Sequence, residues 1–333
     1  MLPVLAFIYL AAFIMSTSAQ STPHILVYTA TKGYRHESIP AAIDVLGQQA
    51  DRWNVSFTFT EDPSMFTTDT LSQFDGVMFA LNSGEVLDDD GQAALQTFFQ
   101  SGGVYTGVHS GSACLYNDTN YAQAVGALFD YHPELQSATF ERLNDTHPAT
   151  KNLPDRFTWE EEVYNFRSDP RSNDAVILLT VDENSYQHGG SSTGDYPDQG
   201  TPHPIAWYIE SPKSALPLQA DAPRAGRSFY TSLGHLNTTW QNDTFIDHLM
   251  GGLTWALEGR STRAYGVGLV GNSSAEEDGK STPSGTTSAS VSESSGAAAT
   301  SGAAGQSRVG SSNMGLTAAA VAGAIGAGIA LVL

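Results

Sequence analysis

Four reactive side chains each follow, within a few residues, a run that reads as a β-strand. His36 lies in Lys32-Gly33-Tyr34-Arg35-His36-Glu37-Ser38, a short loop after the apolar run His24 to Thr29. Glu85 closes Asn82-Ser83-Gly84-Glu85, which follows Gly76 to Ala80. His109 directly follows Gly103 to Val108, and His235 follows Ser228 to Ser232. In an open parallel sheet, ligands bind beyond the carboxyl ends of the strands. Three imidazoles and a carboxylate are therefore expected along one edge. Imidazole titrates near neutral pH and suits acid–base work. One such histidine more often steadies a loop; three together argue for a shared pocket.

The segment Gly107-Val108-His109-Ser110-Gly111 reads as a tight strand-to-helix elbow that projects its middle side chain. A serine or cysteine there would be a nucleophile. Histidine instead argues against an acyl-enzyme mechanism. Cys114, five residues on, reads as a small buried apolar residue. It is the sole cysteine, which excludes an intramolecular disulfide and any cysteine-based zinc or iron–sulfur site.

The elements that must position these residues alternate. Strands are expected at His24 to Thr29, Val55 to Thr60, Gly76 to Ala80 and Gly103 to Val108. Between them run helices, one capped by Ser38 with Pro40 in its first turn, another capped by Asp88 and stopped at Gly102. Ile39, Ile43, Leu46 and Ala50 share one helical face; Ala94, Leu95, Phe98 and Phe99 pack inward from the next. This alternation predicts right-handed βαβ units and a parallel sheet. Later strands are expected at Val176 to Val181, Ile205 to Ile209 and Ser228 to Ser232. A last helix carries Phe245, Leu249, Leu253 and Ala256. The expected fold is one three-layer α/β domain over residues 22–260 with a β-rich insertion.

Of 333 residues, 15 are basic and 35 acidic, a net charge of 15 − 35 = −20. No Lys/Arg cluster is present, so nucleic-acid binding is excluded as a main role. With 41% hydrophobic residues the chain can build a core. Both ends read as addresses. Val4 to Met15 is apolar and runs into Ser16-Thr17-Ser18-Ala19, a secretory signal over residues 1–20. Residues 261–313 are dominated by Ser, Thr, Gly and Ala, a composition that cannot offset chain entropy and predicts a disordered stalk. Small residues Ser301 to Gly305, a polar spacer and the uncharged tail Leu316 to Leu333 follow the pattern of a glycosylphosphatidylinositol anchor signal, with 314–333 as the tail. The acceptor asparagines Asn54, Asn117, Asn144, Asn237, Asn242 and Asn272 fit that route. The expectation is a secreted glycoprotein of fungal surface type, held at the outer face of the plasma membrane or in the cell wall by a lipid anchor.

Six segments carry a resemblance: Lys32 to Ile39; Gly102 to His109; His147-Pro148-Ala149-Thr150-Lys151-Asn152-Leu153-Pro154; Glu161-Glu162-Val163-Tyr164-Asn165-Phe166; His203-Pro204-Ile205-Ala206-Trp207; and Gly226 to His235. In this order the chain resembles the ThuA-like (trehalose utilisation) family within the class I glutamine amidotransferase-like fold. The resemblance implies a flavodoxin-like parallel sheet in which His109 replaces the amidotransferase cysteine, and a role on carbohydrate, including oxidised (keto) sugars. Without an elbow cysteine or a second synthase domain, a working glutamine amidotransferase is not expected. Three departures stand out: Ala113 where relatives often carry an acid, Glu161-Glu162 for an Asp-Glu pair, and Pro202 for the acid before His-Pro.

On this reading His109 and His36 are acid/base groups, Glu162 and Tyr164 orient substrate or shuttle a proton, and His235 completes the pocket. Arg35, Glu85 and Trp207 are expected to contact substrate. Trp207 or Trp159 would offer a ring to the sugar, with a core role open for each. The sequence assigns no cofactor with certainty. If a metal is present, Zn²⁺ or a similar divalent ion would sit on His36, His109, His235 and Glu162. Two roles remain open: a carbohydrate-active hydrolase, lyase or isomerase, and a non-catalytic wall glycoprotein or ligand-binding module. The expected partner is a small carbohydrate or a cell-wall glycan.

Overall fold

The computed structural model describes residues 22–258 except residue 221. The expected leader over residues 1–20, the stalk over 261–313, the tail over 314–333 and Asn272 lie outside the described residues. Among the described residues, no helix is long and apolar enough to cross a membrane.

The chain runs β1 (His24–Tyr28), α1 (Ile39–Trp53), β2 (Ser56–Thr60), α2 (Thr68–Leu71), β3 (Gly76–Ala80), α3 (Asp89–Gln100), β4 (Val104–Val108) and α4 (Thr119–Val125). It continues through β5 (Phe129–Tyr131), β6 (Gln136–Arg142), β7 (Arg156–Glu161), β8 (Asn165–Phe166), β9 (Val176–Val181), β10 (Ala206–Ile209), β11 (Ser228–Thr231), α5 (Asn237–Trp240) and α6 (Asp243–Glu258). A nine-stranded sheet has the order β2-β1-β3-β4-β11-β10-β9-β6-β7. The first five of these pair parallel, and the remaining neighbours pair antiparallel. β5 and β8 form a separate two-stranded ribbon.

Alternation along each buried strand divides the core into two layers. Ile25 and Val27 of β1 join Met78, Val108 and Phe229 under α1 and α6. Leu26 and Tyr28 join Phe79, Tyr105 and Tyr230 under α2, α3 and α4. Three layers follow, as the alternating pattern implied. The β-rich second half is largely not a module apart: β10, β9, β6 and β7 extend the same sheet. β6 and β7 carry no continuous apolar run, because each is only partly buried and β7 lies at the sheet edge with alternating exposure. Charged residues line that edge, where Arg156 pairs with Glu141 and Asp182.

Two capping expectations part company. Asp88 caps α3, its carboxylate accepting from the Gly91 amide at 2.9 Å. Ser38 does not cap α1. Its backbone is already helical, at φ −79° and ψ −7°, and its buried hydroxyl has no hydrogen-bond partner. A side-chain cap needs the extended conformation that Asp88 has and Ser38 lacks.

Candidate active site

β1, β3, β4 and β11 all point their carboxyl ends at one rim. The loops after them are tied together by backbone. Lys32 donates to the Ser83 carbonyl at 2.7 Å, Gly84 to the Ala113 carbonyl at 3.0 Å, and Leu115 to the Gly84 carbonyl at 3.2 Å. The Ser83 hydroxyl donates to the Tyr34 carbonyl. This lacing fixes the approach of His36 to the elbow after β4.

The expected tight turn is present, and it is strained. His109 has φ +52°, a left-handed conformation unusual for a residue with a side chain. Two residues on, a Cβ at Gly111 would stand 2.5 Å from the Phe79 carbonyl oxygen, so only glycine lets the elbow pass under β3. The result is a fully buried imidazole, 0% exposed, aimed along the rim.

His109 is the hub. Its Nδ1 lies 2.7 Å from the Ser232 carbonyl oxygen. Its Nε2 lies 3.1 Å from His36 Nε2, 2.9 Å from the Tyr164 hydroxyl, 3.3 Å from His235 Nδ1 and 3.4 Å from Glu162 Oε2. Glu162 Oε2 is also 3.2 Å from His235 Nδ1. The sequence therefore named five residues that converge: His36, His109, Glu162, Tyr164 and His235. One ligating atom from each of His36, His109, Glu162 and His235 falls within 4.8 Å of the others, so these four are the residues that could hold a metal ion.

The two adjacent glutamates divide their work because consecutive residues of an extended chain face opposite ways. Glu162 faces the imidazoles. Glu161 turns inward and is fully buried, its oxygens accepting from the Gly234 amide at 3.1 Å, the Thr239 hydroxyl at 2.7 Å and the His235 amide at 3.3 Å. It thereby anchors the loop that carries His235.

Environment separates the protonation states. Burial, reinforced by the neighbouring His109 and His235, pushes His36 down to about 3, so its ring is neutral at physiological pH. Burial acts against the Glu162 carboxylate, but the imidazoles of His109 and His235 beside it outweigh burial and hold the group well below the usual carboxylate range. For His235 burial is outweighed by Glu162, and the ring is raised above its ordinary value. Burial, with Glu162 adding to it, raises the Tyr164 phenol, which keeps its proton.

Other expected residues stand elsewhere. Arg35 is exposed and pairs with Glu61 at 2.7 Å, outside the cluster. Glu85 accepts from the Tyr116 amide at 2.9 Å and holds a loop. Trp207 is fully buried, its indole donating to the Val125 carbonyl at 2.8 Å, so no face is free for a ligand. A central strand flanked by two others spends an aromatic on the core. Trp159 packs on Phe157 of the edge strand, ring centres 4.6 Å apart. Cys114 is buried and its thiol is pushed up to about 12 by that burial, which removes it as a nucleophile. His203 nonetheless has a carboxylate partner despite Pro202: its Nδ1 lies 2.7 Å from Glu183, and its Nε2 2.8 Å from the Tyr164 carbonyl.

Three contributors went unnamed in the sequence reading. Tyr34 is 65% exposed, its ring centre 4.8 Å from that of His36. His132 lies 3.4 Å from Glu162 Oε1, and Ser110 3.3 Å from His36 Nδ1. Tyr34 and Ser110 sit inside segments already singled out, so adjacency to a motif histidine was their only signal. A cavity of about 610 Å³ lined by Asp130, Asn165, Glu183, Gln199 and His203, among others, touches none of the five cluster residues. The cluster stands apart from this hollow.

The model of the ThuA (trehalose utilisation) family matches residues 24–256. The chain belongs to the ThuA family. A putative ThuA-like protein of Bacteroides uniformis has a similar structure, with a TM-score of 0.54 and 18% identity over 76% of this chain and 99% of that one. A second, from Parabacteroides merdae, has a TM-score of 0.52 and 16% identity over 73% and 92% of the two chains. At such identities the likeness speaks to the ThuA fold alone. No curated protein matches the chain.

Proposed function

We infer that this ThuA-family chain acts on a carbohydrate at the His36–His109–Glu162–Tyr164–His235 cluster. The observation that carries the reading is the meeting of three imidazoles, a carboxylate and a phenol at the carboxyl rim of the parallel strands. Substrate reaches Glu162 and His235 first, since these are the partly exposed members, 11% and 15% by side chain. His36, His109 and Tyr164 stand behind them, and His109 helps hold Glu162 ionised. Such a centre suits removing a proton from a sugar hydroxyl, or from the carbon beside a keto group, or polarising the carbonyl itself. Tyr34 supplies the exposed aromatic ring beside the mouth that the sugar-binding role assigned to Trp207 requires.

The test is turnover of a panel of plain and keto-oxidised disaccharides by the full chain, followed by product NMR. Turnover that disappears in Glu162→Gln and His235→Ala supports the reading. A panel left intact by the wild type, or equal turnover in both variants, overturns it. A second reading, binding without turnover, draws on the burial of His36 and His109, which keeps both from direct contact with ligand. Saturable sugar binding with no product selects it.

We further propose that the protein works outside the cell on a glycosylphosphatidylinositol anchor. The acceptors Asn54, Asn117 and Asn237 all lie at exposed positions, open to a glycan. Release of the protein from cells by phosphatidylinositol-specific phospholipase C tests the anchor, and retention on the cells would overturn it.

A further inference from the structure

Hydrogen bonding alone does not satisfy the cluster. His109 Nδ1 faces the Ser232 carbonyl, which only accepts, so Nδ1 carries the ring proton and Nε2 presents a lone pair. Four groups lie within 3.4 Å of that lone pair. It can accept one hydrogen bond from them. Glu162 Oε2 is itself an acceptor, so two lone pairs confront each other where little water reaches. One proton relieves one of these contacts at a time. A cation coordinated by several donors relieves them together.

The spacing sets the size of that cation. Four ligands at about 2.0–2.1 Å from a tetrahedral centre stand about 3.3–3.4 Å apart, because the edge of a tetrahedron is about 1.63 times its radius. Four of the six edges match: His36 to His109 is 3.1 Å, His109 to His235 3.3 Å, His109 to Glu162 3.4 Å and His235 to Glu162 3.2 Å, and the two edges from His36 to His235 and to Glu162 close within 4.8 Å. We propose that His36 Nε2, His109 Nε2, His235 Nδ1 and Glu162 Oε2 form a site for one divalent transition-metal ion of the Zn²⁺ class.

The surroundings are built for it. Ligating histidines are oriented through their second nitrogen. Here the Ser232 carbonyl takes His109 Nδ1, the Ser110 hydroxyl meets His36 Nδ1 at 3.3 Å, and His132 Nε2 meets the free Glu162 oxygen at 3.4 Å. Three nitrogens and one oxygen disfavour Mg²⁺ and Ca²⁺, which take six or more oxygens. Glu162 and His235 mark the open side, where a sugar oxygen would enter as an added ligand and be polarised. The inference concerns the centre proposed above, yet ion binding does not depend on what substrate that centre takes.

The test strips the full chain with a chelator and titrates it with Zn²⁺ alone by calorimetry. The expected result is one ion per chain, with affinity reduced about 100-fold or more in Glu162→Gln and in His235→Ala. His188→Ala, which removes an exposed histidine outside the cluster, is expected to bind as the wild type does. Replacement by Co²⁺ is expected to yield the visible absorption of a four-coordinate site. Substoichiometric binding by the wild type overturns the proposal, and so does undiminished affinity in both cluster variants. Equal competition by Mg²⁺ also overturns it. No sugar enters these measurements. A chain that binds Zn²⁺ but leaves every sugar intact keeps this site and loses the function proposed above; the reverse result removes only the ion.

Discussion

Glu161 offers the sharpest test of how the site is held. Replacing it by alanine leaves the Gly234 amide, the His235 amide and the Thr239 hydroxyl without their acceptor in a fully buried setting. Each buried donor left unpaired costs about 1–3 kcal/mol. Three at the low end of that range sum to about 3 kcal/mol. For a domain of this size, about 1 kcal/mol shifts the melting temperature by roughly 2–4 °C, so Glu161→Ala is expected to melt about 6–12 °C lower. Glu161→Gln keeps the shape and one acceptor oxygen, and should lose about half as much. The effect should extend to the site, because the loop that loosens carries His235. Thermal unfolding by circular dichroism reads the first effect, and Zn²⁺ affinity of the folded variant at low temperature reads the second. A Glu161→Ala melting point within 2 °C of the wild type would refute the anchoring role of this carboxylate.

Other substitutions probe separate links. Tyr34→Ala should weaken sugar binding by about 0.5–1.5 kcal/mol, roughly two- to tenfold, while leaving the melting temperature unchanged, since the ring is mostly exposed; unaltered affinity would remove it as a platform. Gly111→Ala places a methyl against the Phe79 carbonyl and should cost at least about 1–3 kcal/mol in denaturant unfolding, with wild-type stability contradicting the elbow geometry. His248 is buried, and burial lowers its ring to about 4. Its unfolded value is higher, about 6.5, so the unfolded chain takes up the proton first. Its stabilising effect is thus complete above about pH 6.5 and lost as pH falls toward 4, about 2 kcal/mol by pH 5. His248→Asn should flatten the pH profile by that amount, and an unchanged slope would assign the loss to other groups. Cys114→Ala should leave any sugar turnover intact, and a loss of turnover without loss of fold would contradict its purely packing role.

Local pattern decided more of this protein than its modest regularity suggests. The continuous apolar runs at His24, Gly76 and Val104 could only be strands covered on both faces, and they are. Once they were parallel, His36, His109 and His235 had to share a rim, since each follows the carboxyl end of such a strand. The Gly-x-His-x-Gly spacing likewise announced an elbow, because only glycine passes beneath β3 at that point.

Tertiary structure decided what spacing along the chain does not encode. Whether an aromatic meets ligand or core depends on the layers laid over it. Trp207 was taken by the core because β10 lies inside the sheet, while Tyr34 stayed at the mouth because its loop is laced to Ser83. Glu85 and Arg35 follow the right strand ends but turn to Tyr116 and Glu61, a choice of side-chain direction made by their neighbours. The distances among His36, His109, Glu162 and His235 arise from four segments spread over about two hundred residues. No periodicity in one segment can set a distance to another; only the packed sheet does.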